Sequence, residues 1–259
     1  MKKMTETTIA QLSLPMEDHK KNYAEFIDFA IHDLDAPLRK LSMLIEQLTS
    51  KYKDISENDE QAQEWLTRIN GCVIHMRSLI DDLSELSGVS YGVAKKDNCN
   101  TGDLVKEILL ESAPEINEKK VIITQSGLPV IEGSEVQLKR LFKNILENAI
   151  RFSKKDSSPE ININSVKLSE EEKKLHALKP RKVYFKIEIS DNGIGFKQAY
   201  AQKIFQPFVR LNARPAFAGN GLGLTICKRI VDNHNGILYA ESVENSGAKF
   251  ILILPETYN

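Results

Sequence analysis

The chain has 259 residues, 41% hydrophobic and 27% charged, with a formal net charge of −1. That length accommodates two domains, and near-neutral charge supplies no global field for nucleic acid or an anionic membrane surface. No apolar run reaches the ~20 residues needed to cross a bilayer, and MKKMTETTIAQLSLPMEDHKK lacks the apolar core of a signal peptide. A cytoplasmic protein is expected, with no nucleic-acid partner and no membrane segment.

Residues 1–22 form a polar N-terminal segment without regular pattern. From Tyr23 to Leu48 the apolar positions are Tyr23, Ile27, Ala30, Leu34, Leu38, Leu41, Ile45 and Leu48. Their steps alternate between three and four, a seam close to the coiled-coil repeat. KYKDISEND reads as a polar connection, and a second seam follows: Trp65, Ile69, Val73, Met76, Ile80, Leu83 and Leu86. Two such helices make an antiparallel hairpin over residues 23–91. One hairpin buries both apolar stripes poorly, so a homodimer with a four-helix bundle is predicted. SGVSYG should break the second helix and act as a hinge.

Residues 92–259 mix helices and strands. A helix is predicted from Thr101 to Asn117, with Thr101 as its N-cap. VIITQS reads as a strand, Ser134 to Phe152 as an amphipathic helix, and EININSVKL and KVYFKIEIS as strands. The charged SEEEKKLHALKPR between the last two reads as a solvated hairpin loop. Leu222 to Asn233 reads as a helix, and GILYAES and AKFILILP as closing strands. This order suggests an α+β sandwich, a mostly antiparallel sheet with helices on one face. Cys72, Cys99 and Cys227 lie far apart without metal-ligand spacing and read as reduced thiols.

Four segments of this second half point to one pocket. In LFKNILENAIRFS the apolar stripe leaves Asn144, Asn148 and Arg151 on a shared polar face. A neutral amide oxygen there suits Mg²⁺ that also binds phosphate. In SDNGIGF, Asp191 ends a strand, where its carboxylate can accept from an exocyclic amine. Gly193 and Gly195 permit a tight turn and close approach of a ligand. IFQPFVRLNARPAFAG reads as a mobile lid, with Arg210 or Arg214 in reach of phosphate oxygens. In GNGLGLTICKRIV, Gly219, Gly221 and Gly223 alternate just before a helix whose N-terminus favours anions.

In this order the four segments resemble the GHKL (Bergerat) ATP-binding domains, and among them the catalytic domain of two-component sensor histidine kinases. The resemblance implies ATP and Mg²⁺ as cofactors. It implies Asn148 as the Mg²⁺ ligand and Asp191 as the adenine-reading carboxylate. Gly193 and Gly195 would line the base pocket, and Gly219, Gly221, Leu222 and Gly223 would lie by the phosphates. Arg151 and Arg210 would contact phosphate, and Phe205 and Phe208 match the lid aromatics. Hydrolytic relatives carry a glutamate one helical turn before the Mg²⁺-binding asparagine; here that residue is Asn144, a poor base. Glu147 lies about 100° from Asn148 around the helix. Transfer to a side chain is thereby favoured over hydrolysis.

The acceptor is expected in the first half. His32 lies two residues from both Ala30 and Leu34, about 200° around the helix from the seam, and so points away from the core. His75 sits beside the seam residue Met76 and His19 precedes the pattern. IHDLDAPLRKL resembles the histidine-kinase phospho-acceptor motif, a histidine followed by an acid and, five positions on, by a proline. The resemblance implies His32 as nucleophile and Asp33 as the group orienting it or taking its proton. Pro37 should bend the helix, and Arg39 could steer phosphate. Many such kinases carry Thr or Asn four residues after the histidine to hold water; here Ala36 implies weak phosphatase activity. Transfer to an aspartate of a response-regulator receiver domain is implied, with input from a separate sensor protein or a region outside this sequence. The alternatives are a GHKL ATPase acting as a conformational switch and a non-catalytic dimeric scaffold.

Overall fold

The structure is a computed structural model and describes residues 34, 37–50, 60–90, 97–154, 156–211 and 220–257. His32, Asp33, Ala36, Arg214 and Gly219 lie outside the described residues. Contacts divide the chain into two units, Met1–Ser90 and Tyr91–Asn259. Among the described residues no helix is long and apolar enough to cross a membrane.

The first unit contributes helix α1 over residues 37–50 and helix α2 over Glu60–Ser90. Leu38, Ile45, Val73 and Ile80 form one buried cluster between them. Among the other described seam residues, Leu34, Leu41, Leu48, Trp65, Ile69 and Met76 are exposed, and Leu83 and Leu86 are half-buried. Buried and exposed seam positions alternate from Leu38 to Leu48 and from Ile69 to Ile80. Helix α2 continues through Gly88 to Ser90 rather than stopping at the glycine, and Val89 is buried.

The second unit begins with strand β1 (Asp97–Asn100), then helices α3 (Thr101–Glu111) and α4 (Ala113–Lys119). The single helix expected here is broken at Ser112, just before Pro114, whose ring cannot follow a continuing helix. The N-cap is Asn100, not Thr101: the Asn100 side chain accepts from the Gly102 and Asp103 amides. Thr101 is buried and its hydroxyl donates to the Pro129 carbonyl at 2.6 Å, anchoring the helix start instead.

Strands β2 (Ile122–Ser126) and β3 (Val130–Gly133) follow, then α5 (Glu135–Arg151), β4 (Glu160–Lys167), α6 (Glu170–Leu175) and β5 (Tyr184–Asp191). Two short 3-10 turns, Gln198–Tyr200 and Lys203–Phe205, lead to α7 (Gly223–Asn233), β6 (Ile237–Val243) and β7 (Gly247–Pro255). The main sheet has the order β2-β4-β5-β7-β6, antiparallel except for the β2–β4 pair. That parallel pair requires a crossover, which α5 supplies. A small β1–β3 sheet joins the end of β7 through Glu132 N–H and the Glu256 carbonyl.

Alternate residues Ile161, Ile163, Ile187, Ile189, Phe250 and Leu252 share one buried face of the sheet. The opposite face is partly covered too, which corrects two expectations. SEEEKKLHALKPR is not a solvated loop, and cover is not confined to one face. Ser169 and Glu172 form a reciprocal capping box that starts α6. Lys186 of β5 pairs with Glu172 at 2.9 Å. Leu168, Tyr184 and Ile253 form a cluster with Leu178, Ile237 and Tyr239 packed against it. Lys173 is buried, its ammonium held by Glu170 at 2.7 Å and the Pro180 carbonyl at 3.3 Å.

Helices α5 and α7 run antiparallel and are tied at both ends. His234, at the C-terminus of α7, is 1% exposed. Its Nε2 accepts from the Ser134 N–H at 3.1 Å, at the start of α5. Nδ1 therefore carries the proton and donates to the Ile230 carbonyl at 2.8 Å. A Cβ on Gly133 would come within 2.5 Å of the ring, so this residue must stay small. Burial lowers the ring's pKa below its ordinary 6.5. An unfolded chain then binds more protons than the native one below that value. The ring's contribution is fully present above about pH 6.5 and is lost as the pH falls towards the lowered native value. His234→Ala is expected to cost about 2–3 kcal/mol in denaturant unfolding at neutral pH, through a cavity and an unpaired Ser134 N–H. It should also flatten the fall in stability just below pH 6.5.

Candidate functional site

Asn144 and Asn148 project from the middle of α5, whose apolar stripe (Leu138, Leu141, Phe142, Ile145, Ala149) faces the core. Asn144 is only 6% exposed, and its Nδ2 donates to the Gly223 carbonyl at 3.2 Å. Its amide is committed to holding the start of α7 against α5. Asn148 is half-buried one turn on, and Arg151 is half-buried in the last turn. Glu147 is half-buried beside Asn148.

The loop after β5 is held at several points. Asp191 Oδ1 accepts from Gly193 N–H at 2.8 Å and from Ala248 N–H at 3.3 Å. Its Oδ2 makes no hydrogen bond among the described residues. Burial pushes the Asp191 carboxyl up from the ordinary 3.8, against these two amides and the nearby Lys154 charge. Ile194 N–H donates to the Phe152 carbonyl at the end of α5, and Asn245 N–H to the Ile194 carbonyl. Gly195 has φ +58°, and a Cβ there would strike the Val243 carbonyl. A Cβ on Gly193 would come within 2.5 Å of the Phe152 carbonyl. A carboxylate with one oxygen committed and the other open thus lies on a backbone too crowded to swing.

Leu222 is fully buried and precedes α7 without a side-chain cap. Among the described residues no side chain caps the first N–H groups of α7, an arrangement that suits an anion. Gly221, at φ +72°, packs on the backbone of Phe208 and Val209, and its carbonyl accepts from Phe208 N–H at 3.0 Å. Phe208 takes a left-handed φ of +63° and is exposed, an unfavoured state for a bulky side chain. Phe205 is half-buried at the end of its turn, and Arg210 is exposed. Among the described residues, no group of three His, Cys, Asp or Glu could hold a metal ion.

The structure therefore brings Asn144 and Gly223 into contact and sets Asp191, Gly193 and Gly195 in one loop. It also joins Phe208 to Gly221. Ser242, Gln198, Gly247 and His234 were not singled out in the sequence. The glycine at 247 was the one available signal, lying in a tight hairpin between two strands.

A model of the family described as histidine kinase-, DNA gyrase B- and HSP90-like ATPase matches residues 133–258. The match lies within the second unit and covers most of it. Over the longer span the chain is similar to cyanobacterial phytochrome A of Nostoc sp., 30% identical over 95% of this chain and 30% of that protein. It is similar at 30% identity to the sensor protein kinase WalK of Staphylococcus saprophyticus, over 89% of this chain and 36% of that one. The chain thus spans about a third of these relatives' length. In fold it is similar to full-length ShkA in complex with AMPPNP, with a TM-score of 0.65 at 20% identity, covering 89% of this chain and 45% of that one. The histidine kinase ThkA, solved with the response regulator TrrA, gives a TM-score of 0.58 at 17% identity over 92% and 64% of the two chains. The matched span holds α5, α7, the loops between them and every strand of the main sheet except β2.

Proposed function

We propose that the chain is the kinase core of a two-component histidine kinase, which phosphorylates itself on His32 from ATP and passes the phosphoryl group to a response regulator. The observation that carries this is the pairing of an open carboxylate oxygen on half-buried Asp191, whose other oxygen is held by Gly193 N–H, with a helix start at α7 that has no side-chain cap. Such a pair suits a ligand with an exocyclic amine at one end and phosphates at the other. The relatives named above add the kinase class.

In this reading Asp191 accepts from the adenine amine, with Gly193 and Gly195 beneath the base. The α7 amides around Gly221, Leu222 and Gly223, with Gly219, meet the phosphates, and Arg151 and Arg210 add charge. Phe205 and Phe208 shape the lid. Asn148 would hold Mg²⁺, whose few protein ligands and shared phosphate oxygens fit a site without a carboxylate cage. When bound, that ion neutralises phosphate charge. Asn144 is spent on Gly223 and is no base, which disfavours attack by water.

Transfer breaks the bond between the γ-phosphorus and its bridging oxygen, releases ADP, and forms a phosphorus–nitrogen bond on His32. Asp33 orients the ring or takes its proton. The receiver aspartate then accepts the phosphoryl group, and a separate sensor protein or a further region supplies the input. A cytoplasmic setting suits the buried free thiols of Cys99 and Cys227. The exposed half of the hairpin seam, Leu34, Leu41, Leu48, Ile69 and Met76, would be covered by a second copy in a four-helix bundle.

With labelled ATP, the wild type is expected to form acid-labile phosphohistidine and His32→Ala none; a labelled His32→Ala protein would reject the acceptor assignment. Asp191→Asn should weaken ATP binding about tenfold or more by calorimetry. In the wild type, affinity should fall on acidification at a pH above the ordinary carboxyl value of 3.8, since protonation removes the acceptor. Leu41→Glu should convert dimers to monomers in sedimentation velocity; an unchanged dimer would place the interface elsewhere.

A further inference from the structure

We propose that Ser242 and Gln198 are positioning residues that fix the floor of the base pocket and so set the affinity for adenine nucleotide, without acting in the transfer step. This rests on the nucleotide reading of Asp191 above. Strand β6 is an edge of the main sheet, so its outward backbone groups have no strand partner. The Gln198 amide takes two of them. Its Oε1 accepts from Ser242 N–H at 2.8 Å, and its Nε2 donates to the Ala240 carbonyl at 3.3 Å. One side chain thereby imitates a neighbouring strand and pins the chain just beyond the glycine loop to the sheet.

Ser242 completes the attachment. Its side chain is 8% exposed, and its hydroxyl uses both of its roles. It accepts from Phe196 N–H at 2.8 Å and donates to the Gly247 carbonyl at 2.7 Å. Phe196 directly follows Gly195, where a Cβ would already come within 3.0 Å of this hydroxyl. Gly247 directly precedes Ala248, whose amide holds Asp191 Oδ1. The hydroxyl therefore bridges the loop under the base and the hairpin that orients the carboxylate. Among the described residues, the Ser242 hydroxyl bonds only to Phe196 N–H and the Gly247 carbonyl, and neither is proposed to meet phosphate. Losing it should loosen base binding and leave the reacting atoms in place.

The test uses the full chain and steady-state autophosphorylation with Mg-ATP. Ser242→Ala and Gln198→Ala are each expected to raise the KM for ATP about tenfold while kcat at saturating ATP stays within about twofold. Ser242→Thr, which keeps the hydroxyl, should stay near wild type. Thermal unfolding without nucleotide checks that each variant folds; Gln198→Ala, on the surface, carries the test if Ser242→Ala does not. The proposal is overturned if KM is unchanged in both alanine variants, if kcat falls at constant KM, or if Ser242→Thr behaves like Ser242→Ala. Asp191→Asn separates the two readings. If that variant keeps its ATP affinity, the nucleotide reading itself fails. If it loses affinity while Ser242→Ala and Gln198→Ala do not, only the present inference fails.

Discussion

The second unit is organised around one crowded place, where the end of β5, the end of α5 and the β6–β7 hairpin approach too closely for ordinary side chains. Gly247, at φ +102°, would drive a Cβ into the Asp191 carbonyl, and Gly195 would drive one into the Val243 carbonyl. The crowding serves the carboxylate. A buried acid is costly unless it is hydrogen-bonded, and the amides that support Asp191 come from its own loop and from the hairpin. Only because β7 starts against β5 can Ala248 N–H reach Oδ1. Sheet register thus decides whether a carboxylate can sit here with one oxygen open.

Much of this was legible in the chain. The apolar stripe of α5 and the strand before Asp191 follow from spacing alone, and the order of the four nucleotide segments fixed the fold. What was missed shares a physical cause. Ser242, Gln198 and His234 act through contacts across more than thirty positions of sequence, and no local pattern marks them. Asn100 and Thr101 were one residue apart, and only the buried Pro129 carbonyl decides which side chain caps and which anchors. The α6 connection was different. Its Ser169 and Glu172 spacing is a capping box that the sequence displays openly, but the surrounding charge outweighed it.

The hairpin shows a different limit. Periodicity weights every seam position alike, whereas the structure sorts them into Leu38, Ile45, Val73 and Ile80 within the chain and Leu34, Leu41, Leu48, Ile69 and Met76 outside it. Two helices can enclose only one of the two seam rows each presents. A row of large apolar side chains left in water is a cost that association removes. The same division explains why a seam can be read from sequence while its partner cannot.

Helix starts show where stability and ligand chemistry compete. Helices α3, α5 and α6 each begin under a side-chain cap, from Asn100, Ser134 and Ser169. Helix α7 begins at buried Leu222 with none. A polar cap there would contribute about 1 kcal/mol, but its oxygen would occupy the N–H groups that an anionic ligand needs. The fold replaces that local term with longer-range ties: Asn144 to the Gly223 carbonyl at one end of α7, Cys227 to the Leu141 carbonyl in the middle, and His234 to Ser134 at the other. These pairs run in one antiparallel register, so α7 is fixed along its length by α5 rather than by its own first turn. On the proposed reading, that leaves the helix start rigid and open to phosphate, with the same α5 that carries Asn148 as its ruler.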